Sequence, residues 1–103
     1  MSIHHPKLLK STNSAILSTT TPLVANVARF NYFIQNCGMN PLFVKEGTGA
    51  STTDFTLILS AGSGNDNGTG GSVSSSAEGV YPGAITIAGT SPRYVITERA
   101  ENI

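Results

Sequence analysis

The stretch 29–47, RFNYFIQNCGMNPLFVKEG, constrains this chain more than any other. Phe30, Tyr32 and Ile34 alternate with Arg29, Asn31 and Gln35, the two-residue period of a strand with one face buried. Pro41 biases Asn40 toward an extended backbone, and Gly38 is placed to supply a positive φ. The expectation is a hairpin whose returning strand covers 42–45. Phe33 breaks the pattern by putting an aromatic on the polar face, which reads either as a contact with a neighbouring subunit or as an isolated exposed apolar residue.

Further alternation follows downstream. Phe55, Leu57 and Leu59 alternate with Thr56, Ile58 and Ser60. Ile85 and Ile87 alternate with Ala84, Thr86 and Ala88, and Tyr94 and Ile96 share a face in 93–98. Shorter strands are expected at 15–18 and 23–27, and turn residues at 47–51 and 89–92. Frequent β-branched residues and closely spaced turns leave helix without support. The fold class expected is all-β: a small antiparallel β-sandwich or barrel of about six or seven strands. Phe30, Tyr32, Ile34, Leu57, Leu59, Ile85, Ile87 and Ile96, each the apolar member of an alternating segment, are expected to form one core.

Two segments stand apart. Residues 1–14, MSIHHPKLLKSTNS, have Leu8 and Leu9 as their apolar cluster and read as an extended N-terminal arm, with both leucines candidate assembly contacts. Residues 62–76, GSGNDNGTGGSVSSS, hold one large apolar side chain, Val73, and read as a flexible surface loop within a domain spanning 15–103.

Chemistry is sparsely written. Six Lys and Arg balance six Asp and Glu, so there is no basic field to hold nucleic acid or an anionic membrane. The single cysteine, Cys37, rules out an internal disulfide and a multi-thiolate zinc site, and reads as a small apolar residue beside a turn. His4 and His5 are adjacent rather than spaced to face one metal. Gly62, Gly64 and Asp66 are one partial copy of a calcium β-roll spacing that works only when stacked. Asn67-Gly68-Thr69 fits a glycosylation sequon but reads as turn chemistry, because no signal-like apolar run precedes it. The glycines follow neither the phosphate-loop nor the dinucleotide spacing. Glu98 and Glu101 flank Arg99 in what reads as a solvated strand end. No cofactor, metal or catalytic set is expected, and the residues point away from an enzyme. No segment is long and apolar enough to span a bilayer as a helix.

One resemblance can be traced. Arg29, Ile34, Asn36, Gly38 and Asn40-Pro41-Leu42-Phe43-Val44-Lys45, then Thr53-Asp54-Phe55, then Gly83-Ala84-Ile85-Thr86-Ile87-Ala88-Gly89-Thr90 before Val95-Ile96-Thr97-Glu98, resemble the small virion proteins of tailed bacteriophages. The likeness covers residues 28–99; the N-terminal segment and the Gly, Asn and Ser loop depart from it. It implies a β-sandwich on the outer capsid surface, synthesised in the host cytoplasm: a decoration or cement protein whose partners are the major capsid protein and further copies in a homotrimer. A module of a tail, neck or head fibre contacting host glycans, with Tyr81 as the exposed aromatic, is the alternative. The resemblance supplies no catalytic residues.

Overall fold

The computed structural model describes residues 9–13, 16–64, 68–75 and 80–101. Among them there is no helix. The described residues form seven strands in the order β1 (Leu9–Asn13), β2 (Arg29–Asn36), β3 (Leu42–Glu46), β4 (Leu57–Leu59), β5 (Ser72–Ser74), β6 (Ile85–Ala88) and β7 (Tyr94–Glu101). They form a four-stranded sheet, β1-β7-β2-β5, and a three-stranded sheet, β4-β3-β6, with every pairing antiparallel. Tyr32, Ile34, Tyr94 and Ile96 from the first sheet meet Leu42, Val44, Leu59, Ile85 and Ile87 from the second in one buried cluster. This is the small β-sandwich that the alternation predicts.

The expected hairpin at 29–47 is not a hairpin. β2 pairs with β5 and β7, whereas β3 pairs with β4 and β6, so the turn carries the chain from one sheet to the other. Both strands carry an apolar face, and an arch sets those faces against each other across the core, which side-by-side pairing cannot do. Asn36 fixes the arch. Wholly buried, it donates from Nδ2 to the carbonyls of Asn40 (2.9 Å), Leu59 (3.1 Å) and Ser60 (3.1 Å), and accepts at Oδ1 from the Gly38 N–H (2.9 Å). That bond to Gly38 holds the turn without a positive φ, which occurs instead at Gly47, Gly49, Gly68, Gly89 and Ser91.

A register shift between Arg29 and Asn31 against β7 moves the start of β2 out of phase. A bulge inserts one residue and rotates what precedes it. Phe30, predicted for the core, is therefore 39% exposed, while Arg29, predicted for the polar face, is turned inward and is 4% exposed. Leu57 is only partly buried against the core, and Leu23, Leu42, Val44 and Tyr94 join it.

The segments 15–18 and 23–27, expected as strands, contribute single bridges among their described residues: Leu17 to Tyr94 and Leu23 to Ile85. The Leu17 and Tyr94 backbones exchange two hydrogen bonds, and Ile85 and Ile87 donate to the carbonyls of Leu23 and Thr20 (both 2.9 Å). This run thus passes from the larger sheet to the smaller and covers the outer edge of β6. In the segment expected to be an arm, 9–13 forms β1, an edge strand opposite β7.

The tract 62–76 also needs correction, since Ser72–Ser74 is a strand on β2 with Val73 opposite Ile34. Gly71 accepts from the Asn36 N–H (2.8 Å) and donates to the Ser60 carbonyl (2.9 Å), joining the two sheets. Glycine is required there. A Cβ on Gly70 would collide with the Asn36 carbonyl, and one on Gly71 would lie 2.9 Å from the Ser60 nitrogen. The composition that reads as an entropic spacer is, at 70–73, a close-packed crossing.

Candidate interaction surfaces

The titratable groups near the core serve the fold. Arg29 has a fully buried guanidinium that donates from Nε to Glu98 Oε2 (2.8 Å), from Nη1 to the carbonyls of Tyr81 (2.6 Å) and Gly83 (2.8 Å), and from Nη2 to that of Val24 (2.7 Å). Glu98 is thereby a paired, largely covered carboxylate rather than a solvated strand end. Tyr32 donates from its hydroxyl to Glu46 Oε2 (2.8 Å). Burial first, then that hydrogen bond and the carboxylate charge, push the Tyr32 phenol well above the ordinary 10.0, against a smaller opposing pull from Arg29. Tyr94 donates to the Thr19 carbonyl (2.5 Å) and accepts from the Thr19 hydroxyl (2.9 Å); burial raises its phenol, and the hydroxyl contact opposes the shift. Cys37 is a buried free thiol. No group of three or more His, Cys, Asp or Glu able to hold a metal ion occurs among the described residues. No helix among them is long and apolar enough to cross a membrane.

The outer faces carry more information. On the three-stranded sheet, Ile58, Phe43 and Ala88 lie abreast on β4, β3 and β6, with Leu42 and Val44 pointing inward. Phe55 packs edge-on against Phe43, with ring centroids 5.1 Å apart. Phe55 is 37% exposed and Ile58 49%, so an aromatic and aliphatic stripe crosses this sheet facing solvent. Lys45 and Asp54 form an exposed ion pair at 2.6 Å beside it.

On the outer face of the four-stranded sheet, Phe33 lies under Arg99, whose guanidinium carbon is 4.9 Å from the ring centroid. Beside it, Phe33, Gln35, Ser72, Ser74 and Val95 line an open groove of about 430 Å³. A third feature lies at the Arg29 end, where Val24 and Val27 project into solvent at 72% and 95% exposure.

Of the residues singled out by sequence as assembly contacts, Phe33 is on an outer sheet face as its position predicts. Leu9 opens β1 opposite Glu101, and Leu8 lies outside the described residues, as do His4, His5, Asp66 and Asn67. Tyr81 is half-buried against the core cluster and crowds Gly83, where a Cβ would lie 2.5 Å from the phenol oxygen. Its ring is a packing element. Sequence reading missed the exposed valines and the Phe43, Phe55 and Ile58 stripe; the signal was available in Phe43, which shares a strand with inward Leu42 and Val44 and so must face out.

Comparison with protein families, curated proteins and solved structures finds no match to this chain.

Proposed function

We propose that this protein is a structural component of a tailed-phage virion: a decoration or cement protein that binds the major capsid protein on the outer surface of the head, its copies joined as a homotrimer. The observation that carries this reading is the stripe of Phe43, Phe55 and Ile58, presented to solvent on a sheet whose other face is locked into the core. A flat apolar surface held rigidly loses little conformational entropy when it docks. Its exposed charges, Lys45 and Asp54, already neutralise each other, so the surface suits recognition by shape rather than steering.

The resemblance of residues 28–99 to phage virion proteins supplies the biological setting. Weak contacts repeated over a symmetric shell gain strength through multivalency, and a ligand that binds only the assembled shell stabilises it by mass action. A place in a tail, neck or head fibre is the competing reading, and the packed ring of Tyr81 lends its glycan-binding version no support.

Copy number per purified particle separates the two. Hundreds of copies, with a map placing them on the head, are expected for a decoration protein. A handful at the tail or neck would overturn the assignment.

A further inference from the structure

β1 is held differently from the other strands of its sheet. β2, β5 and β7 each place side chains in or against the core: Tyr32 and Ile34, Val73, and Tyr94 and Ile96. Among the described residues β1 pairs with β7 alone, and it does so along 97–101, beyond Ile96, where the core residues of β7 end. The ladder is also interrupted. Asn13 lies opposite Thr97 and Leu17 opposite Tyr94, so four steps along one side match three along the other. Past that break the Leu17 and Tyr94 backbones exchange hydrogen bonds of 2.8 and 3.1 Å, which anchor the following run independently of β1.

β7 does not need β1 to stay in place. Its other edge pairs with β2, and Arg29 of that strand holds the Glu98 carboxylate at 2.8 Å. Successive backbone groups of an antiparallel strand point alternately to its two neighbours. Tyr94 bonds toward Leu17, and the Arg93 carbonyl accepts from Cys37 on the opposite side. The N–H and C=O groups of Glu98 and Ala100 therefore turn to β1, opposite Thr12 and Lys10, while those of Val95 and Thr97 turn to β2.

We infer that β1 is a detachable strap: it leaves β7 as a unit while the sandwich stays folded, and its departure uncovers the backbone groups of Glu98 and Ala100. Its hinge is the break between Asn13 and Leu17. Sub-global openings of this kind lie below the free energy of global unfolding. β1 is thus a removable cover for an edge that, bare, would template pairing. The motion belongs to the single chain, whatever its place in a virion.

Native-state hydrogen exchange on the full chain, read residue by residue, tests the strap. The amides of Lys10, Thr12, Glu98 and Ala100 are expected to be about tenfold or more less protected than those of Val95 and Thr97, and indifferent to low urea, because the opening bares little surface. Exchange at Val95 and Thr97 should accelerate with urea, following global unfolding. A second variant locks the strap. Lys10 and Ala100 are directly opposed, and the Cα atoms of such a hydrogen-bonded pair lie about 5.5 Å apart, a span that a disulfide bridges. Cys37 is buried and stays in place. Lys10→Cys with Ala100→Cys, oxidised, is expected to bring Glu98 to the protection of Thr97, and reduction to release it. Equal protection and equal urea response at Glu98 and Thr97 in the wild type would overturn the strap, whether both are slow or both are fast. So would a locked variant in which Glu98 exchanges as before. If the locked variant does not fold, the wild-type comparison decides alone.

Discussion

Arg29 Nε and Glu98 Oε2 stand 2.8 Å apart across β2 and β7, with the Arg29 side chain wholly removed from solvent. Removing one partner of such a pair strands the other in a poorly solvating place, at a cost of about 3–5 kcal/mol. Arg29→Ala is expected to fall in that range, because Glu98 keeps the longer bond from Asn26 Nδ2 (3.4 Å) but loses its ion-pair partner, and the carbonyls of Val24, Tyr81 and Gly83 lose the guanidinium donors. Urea denaturation of the wild type and the variant measures it. A loss below about 1 kcal/mol would place the guanidinium in water.

Asn36 and the crossing at 70–71 are expected to behave as one unit. Asn36→Ala leaves buried carbonyls and the Gly38 N–H unsatisfied, at about 1–3 kcal/mol for each group that water cannot reach. Gly70→Ala forces a methyl group against the Asn36 carbonyl and is expected to cost about 1–3 kcal/mol by overpacking. Shortening within 64–68 is expected to be nearly neutral. Equal midpoints for Gly70→Ala and the wild type would contradict the close crossing.

Core truncations should follow burial rather than sequence alternation. Ile34→Ala and Leu42→Ala remove side chains at 1% and 0% exposure and are expected to cost about 2–5 kcal/mol each. Phe30→Ala, at an exposed bulge, is expected to stay under about 1 kcal/mol. Chemical denaturation of the three variants ranks them directly.

Alkaline pH is expected to unfold the protein through its tyrosines. Tyr32 and Tyr94 both have phenols raised above the ordinary 10.0. Below that value the phenols are neutral in both states and their contribution is fully present. Above it the unfolded chain releases protons that the folded chain retains, so stability falls as pH rises. Tyr32→Phe, which cannot ionise, should flatten the decline in denaturation midpoint above about pH 10. An unchanged slope would remove Tyr32 from the account.

For shell attachment, Ile58→Asp is the informative substitution. The side chain is 49% exposed, so the fold should tolerate it, while a carboxylate at the β4 end of the stripe, beside Phe43, should lower occupancy on undecorated heads about tenfold, a loss of about 1.4 kcal/mol. Wild-type occupancy would exclude the three-stranded sheet as the docking face.

Alternation made the inward residues Tyr32, Ile34, Leu59, Ile85, Ile87 and Ile96 legible, because a two-residue period reports a buried face whichever neighbour covers it. It does not report which strand is the neighbour, so the hairpin expected at 29–47 and the arch that forms there carry the same alternation, and the pairing of β2 with β5 and β7 and of β3 with β4 and β6 separates them. The bulge at Phe30 is silent for the same reason: one inserted residue reverses the phase of Arg29 without altering composition. Val73 shows the limit of compositional reasoning. In a tract of glycine and serine it looks too sparse to order a strand, yet Ile34 supplies the opposing surface from 39 positions earlier in the chain. Among the surfaces, Phe33 is readable as an aromatic out of phase, whereas Val24 and Val27 are not, since 23–27 reads as a strand yet is held by a single bridge at Leu23.

The ends of the glycine-rich excursion are fastened to each other: the Ser63 N–H donates to Thr69 Oγ1 at 2.8 Å, and Gly62 and Gly71 are each pinned to the body of the sandwich. Chain inserted between such posts pays only a closure entropy that grows with the logarithm of its length, about 0.6 kcal/mol per doubling. The site is therefore a ready insertion point for foreign sequence. An epitope or enzyme tag spliced at 65–67 should leave the subunit folded, and any assembly built from it would repeat that cargo at every subunit position.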